Sequence, residues 1–86
     1  MAGIAGVNQE FMDHLKKGDP RCSYPLESRV IKMDSEKNDL HEPGKQGIVK
    51  GNIYMNSDGI VLEGYLVLFD GDPAETFLMK EKIILL

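Results

Sequence analysis

Gly44-Lys45-Gln46-Gly47-Ile48-Val49-Lys50-Gly51-Asn52-Ile53-Tyr54, answered further on by Tyr65-Leu66-Val67-Leu68-Phe69-Asp70, decides the fold of this 86-residue chain. A glycine-punctuated turn enters a long strand, Asn56-Ser57-Asp58-Gly59 reverses it, and a second strand returns. Gly47 and Gly51 lie inside the first of these strands and predict a bulge or sharp bend there, not a flat ribbon. The run from Leu66 to Phe69 is apolar on both faces, as expected of a strand buried on both sides.

Working outward, Ser28-Arg29-Val30-Ile31-Lys32-Met33 reads as a strand before the hairpin, joined to it by a polar, acidic loop over 34–43 whose one apolar residue is Leu40. After the hairpin, Asp70-Gly71-Asp72-Pro73 is a tight turn and Thr76-Phe77-Leu78-Met79 a fourth strand. Lys80-Glu81 forms a one-turn link, and 82–86 a closing apolar strand. On the N-terminal side, 9–17 predicts a helix capped by Asn8, with Glu10 near its positive end and Lys16 and Lys17 near its negative end. Gly18 suits the left-handed position after the last turn, and Asp19-Pro20 ends the helix. Val7, Phe11 and Leu15, flanked by Ile4 and Met12, make a narrow apolar stripe. A helix this short does not hold alone in water, so the stripe must dock, either on its own β-domain or on a partner. Residues 1–26 are therefore a tail, helix and linker, and 27–86 the β-domain. The expected fold is mainly β: five bent strands in a small closed barrel, with one short N-terminal α-helix. Closure would hide the edges that strands such as Ile83-Ile84-Leu85-Leu86 otherwise present.

Composition narrows the function. Apolar residues make up 42% and charged residues 28%, an ordinary globular balance. The single cysteine, Cys22, allows no internal disulfide and points to a reducing, cytoplasmic setting. The apolar start, 1–7, lacks a basic leader region and is too short to span a bilayer, so it reads as a tail and no membrane association is expected. Net charge is −4, all of it from 27–86, and an acidic total opposes non-specific nucleic-acid binding.

Candidate chemistry is sparse. Asp39, His41 and Glu42 could contribute to a hard-ion site, but their spacing matches no calcium loop and offers only one imidazole, so they read as solvated loop charge. Asp70-x-Asp72 opens like a calcium loop, yet Pro73 follows and later ligands are missing. His14 has no carboxylate or thiol at a telling spacing and reads as surface; Cys22 reads as an inert thiol beside Arg21. No nucleophile, base and orienting group are brought together by pattern, so an enzyme is not expected and no cofactor or metal is implied.

Gly44-Lys45-Gln46-Gly47-Ile48-Val49-Lys50 resembles the core of a KOW motif, with Val30-Ile31 as its preceding strand. The glycine-rich strand, the Tyr65–Asp70 strand and the apolar C-terminal strand resemble uncharacterised bacterial SH3-like domains over 27–86. The resemblance implies a five-stranded SH3-like small barrel acting as a binding module. The loop over 34–43 is longer and more acidic than the turn a KOW unit usually has. Two partner classes follow. A protein-interaction or accessory-subunit role, with another protein or a second copy as partner, would use Phe11, Leu15, Tyr54 and Tyr65. A KOW-like RNA-binding role would use Arg29, Lys32, Lys45 and Lys50, with Tyr54 stacking on a base. Proline-rich peptide recognition is not expected, because the aromatic segment such grooves need is absent.

Overall fold

The computed structural model describes residues 2–33 and 39–86, with side chains from residue 9 onward. Helix α1 (Ala2–Lys17) precedes five strands: β1 (Arg29–Lys32), β2 (Gln46–Ser57), β3 (Ile60–Phe69), β4 (Thr76–Met79) and β5 (Ile83–Leu85). A single 3-10 turn, Lys80–Lys82, links β4 to β5. The strands form one antiparallel sheet in the order β4-β3-β2-β1-β5, so β4 and β5 are its two edges. The protein is thus mainly β with one helix.

The helix differs from the expectation. It is 16 residues long, running back to Ala2, so Asn8 lies inside it and is not its N-cap. Ala2 and Ala5 are the best of helix formers, and a helix already anchored at its C-terminal end propagates without a second nucleation cost. Its C-terminal end is as the sequence predicts: Gly18 takes φ +81° and its N–H donates to His14 O at 3.3 Å.

The β2–β3 hairpin is the spine. Asp58 (φ 52°) and Gly59 (φ 81°) make its two-residue turn, both in the left-handed region that twists with the strands. Ten residue pairs hold the ribbon together from Ser57↔Ile60 to Gly47↔Phe69, with a register shift between Val49 and Gly51. The predicted bulge is therefore at Lys50, and Gly51 follows it because the backbone of Leu15 lies against that position. A Cβ there would sit 3.0 Å from Leu15 O.

Directly opposed residues share a face, and successive residues alternate. One face of the sheet carries Val49, Val67, Phe69, Tyr65 and Leu78, together with Val30 and Ile83, and is the main core; Cys22, Tyr24 and Leu26 of the linker pack onto it. The other, outer face carries Gly51, Ile53, Gly64, Leu66 and Phe77, and α1 lies across it. Leu15 is fully buried there, and the Phe11 ring meets the Phe77 ring edge-on at 5.9 Å. Of the two dockings open to the helix, it takes the one on its own sheet. The linker then rounds the free edge of β2 to reach the opposite face, so helix and linker grip the hairpin between them.

The edge of β5 is blunted. The Ile83 N–H donates back to Lys80 O, and its C=O accepts the Tyr24 hydroxyl at 3.3 Å. Neither group is left to recruit another strand.

At Gly47 an added Cβ would lie 2.7 Å from Leu68 O and 2.9 Å from Phe69 Cα, both backbone atoms that cannot swing aside. Gly47→Ala is expected to lower the unfolding free energy in urea by about 1–3 kcal/mol through overpacking.

Candidate functional site

The deepest polar cluster is structural in its wiring. Asn52, Glu63 and Tyr65 rise from the core face of the hairpin and take hold of the linker. Asn52 Oδ1 accepts from the Asp19 N–H at 2.7 Å, and Asn52 Nδ2 donates to Tyr24 O at 3.0 Å. The Tyr65 hydroxyl accepts from the Tyr24 N–H at 3.1 Å. Glu63 accepts from the Ser23 N–H at 2.8 Å, from Ser23 Oγ, and from Lys80 Nζ at 3.2 Å. Burial works to raise the Glu63 pKa, but these donors outweigh it and the carboxyl titrates below the ordinary glutamate range. Burial pushes the Tyr65 hydroxyl up to about 12, and burial, then the charge of Glu63, pushes the Cys22 thiol up to about 11. Cys22 is therefore a thiol at neutral pH.

Of the residues singled out for protein binding, Leu15 and Tyr65 are fully buried and serve the interior, not an open face. The helix stripe had to be spent on docking α1, and Tyr65 stacks obliquely on Tyr24 within the core, ring centres 5.0 Å apart. Tyr54 is half-buried, with the Arg21 guanidinium 4.5 Å above its ring. Arg21 is itself held by Asp19 at 2.7 Å, and Arg21 holds the Asp19 carboxyl down at about 2. Phe11 remains partly exposed.

The basic residues do not form an open cationic face. Lys32 is 1% exposed, because strand alternation puts it on the same side as Val30; its Nζ donates to Asp39 Oδ2 at 3.0 Å, an oxygen shared with Lys82. Arg29 pairs with Asp70 at 3.0 Å, Lys45 with Asp72 at 3.1 Å and Lys50 with Glu27 at 3.2 Å. The acidic loop over 34–43 is described only from Asp39; Asp34 and Glu36 lie outside the described residues. Within the described part, Leu40 projects into solvent while His41, expected as solvated charge, is buried. Its ring stacks on Phe69 at 4.1 Å and its Nε2 bonds to Asp72. That hydrogen bond, then the one from Lys45, lowers the Asp72 pKa. The 70–73 turn is thus a latch for the loop. No alternation signal covers His41, since it lies in a loop; only the facing of two distant loops reveals its burial.

What remains open is apolar. Beyond Gly64, where β4 ends, the hairpin continues as a two-stranded arm, and its outer face carries Met55 opposite Leu62 and then Ile60 opposite Ser57. Phe77 lies over Gly64, one row before Met55 and Leu62, and Phe11 abuts Phe77. Phe11, Phe77, Met55, Leu62 and Ile60 are all exposed, Ile60 to 65%, and form one continuous stripe. The sequence reading missed four of these five. The signal available was the turn: a two-residue Asp58-Gly59 loop fixes which residues oppose one another and hence which share the outer face.

Among the described residues no helix is long and apolar enough to cross a membrane. Compared with known proteins, the chain matches no family model, no curated protein and no solved structure.

Because the Glu63 pKa is depressed in the folded state, its stabilisation is full above the ordinary glutamate value of 4.5 and is lost as pH falls through the folded value. Glu63→Gln is expected to lower stability in urea titrations at neutral pH by about 1–3 kcal/mol, with the gap from wild type narrowing in acid. Cys22 should react with iodoacetamide far more slowly than free cysteine at neutral pH, and at the free rate once the chain is unfolded.

Proposed function

We propose that this chain is a non-enzymatic protein-interaction module, an accessory-subunit type of domain built on an SH3-like small barrel. The barrel reading is supported by the antiparallel order that returns β5 to β1, the bulge that bends β2, the long loop after β1 and the 3-10 turn before β5. The observation that carries the function is the exposed stripe of Phe11, Phe77, Met55, Leu62 and Ile60 along the hairpin arm. Contiguous apolar surface of this kind is costly to leave in water and is the signature of a docking face.

The polar groups support the non-enzymatic part. Ser23 Oγ lies on Glu63, which Lys80 and the Ser23 N–H already engage, and His41 is stacked on Phe69 and bonded to Asp72. Each is already engaged by other groups of the fold. The pairing of Arg29, Lys45 and Lys50 with carboxylates favours protein over nucleic acid, since a phosphate would have to displace each acid first. The lone free thiol favours a cytoplasmic setting.

A photo-reactive phenylalanine analogue in place of Leu62, and in a second variant in place of Glu81, tests the reading in cells. Discrete covalent adducts from position 62 and none from position 81 are expected. No adduct heavier than the chain, or the same adducts from both positions, overturns it.

A further inference from the structure

The charges around the stripe are one-sided, and this says what seats on it. Among the described residues, Lys16, Arg21, Arg29, Lys32, Lys45, Lys50, Lys80 and Lys82 each lie on a carboxylate. Lys17 has no ion pair with a described residue, and it lines the cleft with Gly18 and Asn52 at the C-terminal end of α1. The carboxylates at the stripe are differently placed. Glu10 is exposed and adjoins Phe11 in α1, and Asp58 forms the turn beside Ile60. Neither forms an ion pair with a described residue. An apolar strip thus runs between uncompensated negative charges at both ends.

We propose that the outer face of the hairpin arm binds a basic amphipathic segment of another protein, its apolar side on Phe77, Met55, Leu62 and Ile60 and its cations against Glu10 and Asp58. The inference rests on the interaction reading above and adds the partner's chemistry. A second copy fits poorly, because it would bring the same acids to face their equivalents, and among the described residues every lysine and arginine but Lys17 already lies on a carboxylate. An anionic lipid surface is repelled for the same reason. Opposite charge at the ends of an apolar strip sets orientation and speeds encounter, and the apolar contact supplies the dwell time.

The probe is a fluorescently labelled amphipathic helical peptide of leucine and lysine, read by anisotropy against the full chain, beside a leucine and glutamate peptide of the same pattern. The lysine peptide should bind, more weakly as salt rises, and the glutamate peptide should not. Leu62→Ser with Ile60→Ser should weaken binding by roughly tenfold or more. Both side chains are exposed, so an unchanged melting temperature separates this loss from unfolding. Glu10→Gln with Asp58→Asn, the latter keeping a residue suited to positive φ, should weaken it by about threefold to tenfold, whereas Glu42→Gln with Glu81→Gln should not. Binding of both peptides, or indifference to Glu10→Gln with Asp58→Asn, overturns the basic partner. So does binding that survives Leu62→Ser with Ile60→Ser, or a concentration-dependent dimer lost in that variant. If neither peptide binds while position 62 still cross-links, the basic partner is overturned and the interaction face stands; if position 62 is also silent, both fall.

Discussion

Everything in this molecule hangs on the grip that Asn52, Glu63 and Tyr65 keep on residues 19–24. The three side chains leave the core face of one hairpin and satisfy the backbone of a segment that has no regular structure of its own. An irregular chain over a core is tolerable only if its amides and carbonyls find partners, and here the hairpin provides them. Among the described residues no buried side-chain polar atom is left without a partner. With the linker held, Cys22, Tyr24 and Leu26 close the core, and α1 is drawn to the opposite face. The sheet is thus covered on both sides by one continuous N-terminal segment passing around the edge of β2.

This arrangement explains why the exposed apolar stripe lies where it does. α1 reaches only part of the outer surface, and β4 stops at the level of Gly64. The hairpin arm beyond them has one apolar side with nothing from the described residues packed across it. At the other end of the sheet, loops are drawn together by Asp72, which His41 and Lys45 share, and by Asp39, which Lys32 and Lys82 share. One end is tied down by ions and the other left apolar.

Much of this was legible from residue patterns. Glycine and proline marked the turns, and Gly51 marked the bulge, because backbone conformation and close approach are local demands that glycine meets and other residues do not. The location of β4 follows from Thr76-Phe77-Leu78-Met79 alone. The reach of α1 was not legible, because helix formation in Ala2–Val7 depends on an anchor further along the chain. Nor was the burial of Lys32 and His41. A lysine in a strand between isoleucine and methionine can face either way, and a loop histidine becomes interior only when a distant turn folds over it.

The chain by itself determined the sequence of elements, the hairpin turn and, through that turn, the set of residues able to share a face. Those are matters of steric preference and of period-two alternation, which are written in short stretches of residues. Which face became the core, which lysine went inside, and which apolar side chains were left in water were decided only by tertiary structure. Each depends on how far α1 and the linker extend over the sheet. That is a competition for the same surface among segments remote from one another, and no local stretch contains its outcome.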